Sequence, residues 1–224
     1  MKYVSSRNKN EIVESHNAII QGLAKDGGLF TPENINIHIN VDELTNLSYQ
    51  QIATKVIHAF LDDFTEEEIS SSVNQAYDNK FDTEEIVPLH KIEDAYLMEL
   101  YHGPTSAFKD IALTLLPHLL IQSYNKENRH DTISILTATS GDTGKAALSG
   151  FADVKHTAIT VFYPEVGVSQ VQKKQMQTAA GDNVEVIAVK GNFDDCQRMV
   201  KEATQDPQVL ASLHNVTISS ANSI

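Results

Sequence analysis

Thr132-Ile-Ser-Ile-Leu-Thr-Ala-Thr-Ser-Gly-Asp-Thr-Gly-Lys145 decides the fold of this chain, because a strand, a turn and a helix start follow one another inside it. Thr132 to Thr137 is rich in β-branched residues and reads as a strand, it runs into a turn of small residues, and the spacing predicts a helix from about Thr143. Only small residues let the backbone approach a ligand closely. Here they set N–H groups at a helix start, where a carboxylate or a phosphate is well held. The same residues also make an ordinary tight βα turn capped by Asp142 or Thr143, and the stretch alone leaves both readings open. It has neither the order of a P-loop nor that of a dinucleotide fingerprint.

Downstream, strands at Ala158 to Phe162, Val184 to Val189 and Val216 to Ser219 alternate with helices at Ser169 to Ala179 and Asp194 to Thr204. Strands separated by helices of this length imply right-handed crossovers, hence an α/β fold with a mostly parallel, doubly wound sheet. Gly191-Asn-Phe-Asp-Asp-Cys196 also joins a strand to a helix, but two aspartates repel an anion, so Asp194 and Asp195 read as cap and first-turn charge.

Upstream, Glu99-Leu-Tyr-His-Gly-Pro-Thr-Ser-Ala-Phe-Lys-Asp110 puts Lys109 between an expected strand, Ala95 to Tyr101, and a helix from Ile111. Most lysines at such places are solvated charges. Phe108 and Ala107 beside it offer partial desolvation, which lowers an amine's pKa and makes it a nucleophile towards carbonyls. Ala112, Leu115, Leu116 and Leu119 are expected to form the apolar face of the helix, with Pro117 kinking it against the carbonyl of Leu113.

Residues 1 to about 46 read as a strand (Lys2 to Ser5), a helix (Glu11 to Ala24) and a turn through Asp26-Gly27-Gly28. Two helices follow with capping-box starts, Ser48 with Gln51 and Thr65 with Glu68. Their apolar faces are Ile52, Val56, Phe60 and Ile69, Val73, Ala76. These elements make residues 1–88 a mainly helical N-terminal subdomain, with 89–224 as the α/β part.

The 224 residues carry 17 basic and 30 acidic side chains, a net charge of −13, which argues against nucleic acid or an anionic membrane as the main partner. A single cysteine, Cys196, excludes an internal disulfide, and the nine histidines show no metal-ligand spacing. No apolar run is long enough to span a bilayer, and the N-terminus lacks the apolar segment of a signal peptide, so a cytoplasmic protein is expected.

Six stretches in order, GLAKDGGLFTPE (22–33), HGPTSAFKD (102–110), TATSGDTGKAAL (137–148), YPEVGVSQVQKKQM (163–176), GNFDDCQ (191–197) and SANSI (220–224), resemble the threonine synthase family. These are pyridoxal phosphate enzymes of the tryptophan synthase β-like fold (fold type II), and the likeness is to the branch with an extra N-terminal helical subdomain. The resemblance implies that Lys109 is the Schiff-base lysine for pyridoxal 5'-phosphate and the proton shuttle, in the conversion of O-phospho-L-homoserine and water to L-threonine and phosphate. It places Phe108 and Asp142 with Lys109 at the cofactor, and Thr105, Ser140, Gly141, Thr143 and Gly144 at the substrate.

Chains of that family continue well past SANSI, into the part that carries the glycine-rich loop for the cofactor phosphate. The resemblance therefore implies that these 224 residues are the N-terminal portion of the enzyme. Alone they are expected neither to hold the cofactor tightly nor to turn over, and to self-associate through cut sheet edges. Monomer and dimer stay open for the whole enzyme. So do two other readings: a different lyase of the same fold, such as a serine or threonine dehydratase, and a truncated, non-catalytic binding module.

Overall fold

The protein is described from a computed structural model, over residues 1–212 and 216–219. In chain order its elements are β1 (Lys2–Ser5), β2 (Ile12–Glu14), α1 (Ser15–Gln21), β3 (Phe30–Pro32), a 3-10 turn (Val41–Leu44), α2 (Tyr49–Phe60), α3 (Glu66–Tyr77), β4 (Leu89–Ile92) and β5 (Ala95–Met98). They continue with α4 (Asp110–Leu113), α5 (Leu116–Lys126), β6 (Thr132–Ala138), α6 (Asp142–Phe151), β7 (Thr157–Pro164), α7 (Gln170–Gln177), β8 (Val184–Val189), α8 (Phe193–Gln205), α9 (Pro207–Ser212) and β9 (Val216–Ser219). The SANSI stretch lies outside the described residues.

The chain forms two compact units, one of Met1–Gly103 with His118–Asn128, the other of Pro104–Pro117 with the described residues from Arg129 onward. In the first, β1 pairs antiparallel with β2 and β3. The helix expected over Glu11 to Ala24 is therefore shorter, starting only at Ser15, because Ile12 and Val13 pair with Val4 and Tyr3 as a strand. Both capping boxes form as read, Ser48 with Gln51 and Thr65 with Glu68. Behind them Ile69, Val73 and Ala76 are fully buried, whereas Ile52, Val56 and Phe60 are only half-buried.

The strand expected at Ala95 to Tyr101 ends at Met98 and does not join the parallel sheet. It pairs antiparallel with β4, which the sequence reading missed, in an exposed hairpin. Leu89, Ile92, Tyr96, Leu97 and Met98 all lie open on it, so no one-sided apolar alternation marks its strands.

In the second unit the sheet runs β8-β7-β6-β9, all parallel, with Ile135 beside Ile159 and Thr132 beside Val216. Helices cover both faces. Leu136, Ala138 and Phe162 pack with Phe193, Cys196 and Val200 of α8, while Val161, one residue away and so on the opposite face, lies against Gly144 of α6. This is the expected doubly wound arrangement.

Pro117 does more than kink its helix. The chain breaks into α4 and α5 with Thr114 and Leu115 between them, since proline cannot donate to the Leu113 carbonyl. That break turns the apolar face: Leu113, Leu115 and Leu120 are buried, while Ala112, expected on the face, is exposed.

Candidate active site

The small-residue turn after β6 is held from beneath by Thr139. Its hydroxyl accepts the N–H groups of Gly141 and Gly144, both at 2.9 Å. So two of the turn's donors are already used, which corrects the picture of a whole loop open to an anion. Gly141 precedes α6 as its cap residue and Asp142 is the first helical residue, not the cap. The N–H groups of Asp142 and Thr143, at the first two helical positions, meet no acceptor among the described residues and remain for a ligand. Ser140 is exposed at the tip. A side chain at Gly144 would collide with Thr139 at 2.3 Å, and Gly141 has φ +151° with the Gln172 amide 2.5 Å from where a Cβ would stand. Both positions therefore require glycine.

The Lys109 loop belongs to the same unit. Its shape comes from Asp110, which is 1% exposed and accepts the Thr105 N–H at 2.8 Å and the Thr105 hydroxyl at 2.6 Å. This clamp curls residues 105–110 and puts Ser106 in the left-handed region, φ 56°, a conformation that costs about 1 kcal/mol outside glycine. Lys109 comes out half-buried as the residue preceding α4, with Nζ 4.7 Å above the Phe108 ring. Phe108 itself is exposed, so it shields the amine from one side only.

Lys145 joins the two loops. Its side chain is 10% exposed; Nζ donates to the Thr105 carbonyl at 3.1 Å and lies 3.3 Å from Asp142 Oδ1. Gln172 of α7 donates to the same Oδ1 at 2.8 Å and is steadied by the Ser169 hydroxyl. The Gln172 hydrogen bond, helped by Lys145 and the more distant charge of Lys109, holds the Asp142 carboxyl below the usual carboxylate range. Asp142 is thus an ionised acceptor under the influence of Lys109, with its Oδ1 engaged by both Lys145 and Gln172.

Sequence reasoning missed Asp110, Lys145 and Gln172. Only Asp110 left a signal, an aspartate five residues after a threonine in a turn. His102 stands in the first unit, where Glu99 (2.7 Å) and Asp82 (2.5 Å) hold its two ring nitrogens and, in that order of effect, raise its pKa. The Gly191 turn is closed by its own helix: Asn192 and Asp195 form a capping box, so a carboxylate fills the place a phosphate would need.

The fold and the site together define a doubly wound α/β protein with an aromatic-backed amine beside a helix N-terminus at the end of a parallel strand. Comparison with known proteins gives this class its family. Residues 82–221 match the family described as "Pyridoxal-phosphate dependent enzyme", and residues 2–77 match "Threonine synthase N terminus". The chain belongs to the pyridoxal-phosphate dependent enzyme family. It is 36% identical to a threonine synthase of Pseudomonas aeruginosa, over 99% of this chain and 48% of the relative. With that of Saccharomyces cerevisiae it shares 34%, over 96% and 45%. Among solved structures, a pyridoxal phosphate-bound threonine synthase from Brucella melitensis superposes with a TM-score of 0.89 at 34% identity, covering all of this chain and 48% of that one. The yeast enzyme gives 0.84 at 31%, over 97% and 45%. The chain spans about half the length of the curated relatives it matches.

The residues present fit the carbonyl end of the cofactor. Lys109 supplies a primary amine against an aromatic face, and the glycines at 141 and 144 let Gln172 and Thr139 pack close beneath the turn that carries the Asp142 and Thr143 N–H groups.

Proposed function

We propose that this chain is the N-terminal portion of a threonine synthase, converting O-phospho-L-homoserine and water to L-threonine and phosphate with pyridoxal 5'-phosphate. The observation that supports the reading is that, within one compact unit, Lys145 ties the Lys109 loop, at the Thr105 carbonyl, to Asp142 at the start of α6. When bound, the cofactor supplies an electron sink for the substrate's Cα and Cβ. Lys109 offers Nζ to the cofactor carbonyl and afterwards carries protons at Cα and Cβ. Phe108 covers one side of that amine, and Asp142 is a fixed negative charge under its influence. The N–H groups of Asp142 and Thr143, with Ser140 at the tip and Gly141 and Gly144 shaping the turn, receive the substrate carboxylate. Thr105, expected at the substrate, instead fixes the loop wall, since its N–H and hydroxyl are taken by Asp110 and its carbonyl by Lys145.

The division at residue 88/89 belongs to the same proposal, as does a cytoplasmic setting, with which the lone buried thiol of Cys196 agrees. Among the described residues no helix is long and apolar enough to cross a membrane.

Borohydride reduction of the chain, joined to the half its relatives add and mixed with pyridoxal phosphate, followed by peptide mapping, tests the assignment. The label is expected on Lys109 and absent from Lys109→Ala; a label spread evenly over exposed lysines sinks it. Product analysis of the chain joined to the half its relatives add, with phosphohomoserine against serine, tests the reaction.

A further inference from the structure

Lys145 is a largely buried cation that reaches from α6 to the Lys109 loop, with one partner on each. One is the backbone of the segment that carries Lys109; the other is the Asp142 carboxylate, whose charge also feels Lys109. We infer that Lys145 is a positioning residue, which ties the Lys109 loop to the Asp142 turn and keeps the Asp142 carboxylate from closing on the Lys109 amine. The inference rests on the assignment of Lys109 as the cofactor lysine.

The geometry gives the reason. An amine adds to a carbonyl only in its neutral form, and a carboxylate in direct contact with it would hold it protonated. The Asp142 charge nevertheless feels Lys109. Its Oδ1 is engaged twice, by Gln172 at 2.8 Å and by Lys145 at 3.3 Å, so its charge is drawn towards α6 and α7. Asp110, the other carboxylate on the Lys109 loop, has both oxygens taken by Thr105, and Lys173 of α7 lies over the Tyr163 ring. Lys145 is therefore the cation that, together with the Gln172 amide, engages Asp142 Oδ1 on the side of α6 and α7. Its second bond, to the Thr105 carbonyl, ties the Lys109 loop to that side.

The test is carbon-detected NMR of the Lys Cε–Nζ pairs in the labelled chain, with the Lys109 signal assigned by its loss in Lys109→Arg. Lys145→Met keeps the buried stem and removes the charge. The Lys109 titration midpoint is expected to rise by about half a unit or more in that variant, and to return to within about 0.2 unit of the original in Lys145→Arg. The same shift should vanish when Lys145→Met is made in an Asp142→Asn background, an outcome that loss of packing alone would not produce. An unchanged midpoint in Lys145→Met, or an equal shift with and without the Asp142 carboxylate, overturns the inference. Failure of the borohydride label to reach Lys109 would instead sink the cofactor assignment, and the NMR shift still reports on Lys145.

Discussion

Both carboxylate oxygens of Asp110 are held by Thr105, Oδ2 by its N–H at 2.8 Å and Oδ1 by its hydroxyl at 2.6 Å, in a site 1% exposed. The residue that follows Lys109 thus closes the loop in which Lys109 sits. Asp110→Ala leaves two buried donors without an acceptor and is expected to cost about 2–3 kcal/mol in urea unfolding. Asp110→Asn keeps one acceptor and turns an amide towards the other donor, so an intermediate loss is expected. Labelling of Lys109 by pyridoxal phosphate should fall in the same order; a fully stable Asp110→Ala would show that the clamp does not shape the loop.

Gly150 tests the seat of α6 on the break between α4 and α5. Alanine is favoured over glycine in a helix interior by about 1 kcal/mol. Here the added Cβ would lie 2.0 Å from the Leu113 carbonyl oxygen, a backbone atom with no freedom to retreat. Overpacking costs about 1–3 kcal/mol and should win, so Gly150→Ala is expected to be net destabilising. Gly167, with nothing within 4 Å, supplies the comparison: at φ +100° alanine there meets backbone strain but no collision. Equal unfolding midpoints for Gly150→Ala and the parent chain would refute the close approach.

The parallel sheet and the small-residue turn were legible because each is a local pattern: β-branched runs, glycine at fixed places and side chains that cap their own helix. Both capping boxes of the first unit and the acidic closure of the Gly191 turn were legible for the same reason. What stayed hidden depends on contacts distant in sequence. Ile12 to Glu14 carries an apolar run that serves helix or strand equally, and pairing with β1 decides it. The hairpin of β4 and β5 exposes both faces, so alternation has no buried side to report. Lys145 and Gln172 read as ordinary helix-surface residues, and only folding brings them onto Thr105 and Asp142 across 40 and 30 positions.

Thr137 carries a buried hydroxyl, at 0% exposure, with no hydrogen-bond partner among the described residues, near the end of β6. Replacing such a group by an apolar one of the same shape removes a desolvation cost, and valine also suits a strand. Thr137→Val is expected to stabilise the chain by about 1 kcal/mol, read from the urea midpoint at unchanged slope. A loss of stability would mean that the hydroxyl has a partner in solution.

Two histidines of the first unit pull the pH dependence of stability in opposite directions. Burial, with the Lys80 charge adding to it, takes His118 down to about 4 from 6.5, and its Nε2 is buried without a partner among the described residues. Between those values the unfolded chain binds a proton that the folded chain refuses, so stability falls as the pH drops through that window. For His16, burial alone would lower the pKa, but hydrogen bonds to Asp63 (2.6 Å) and Glu127 (2.7 Å) outweigh it and the net shift is upward from 6.5. Its contribution is complete below about 6.5 and is lost as the pH rises through the raised folded value. Urea midpoints measured from about pH 4 to about pH 8 separate the two. His118→Leu should flatten the acid limb and leave the upper one, since an apolar side chain gives up no hydrogen bond there. His16→Asn should do the reverse. An acid limb just as steep in His118→Leu would place that proton uptake on another group and remove His118 from the account.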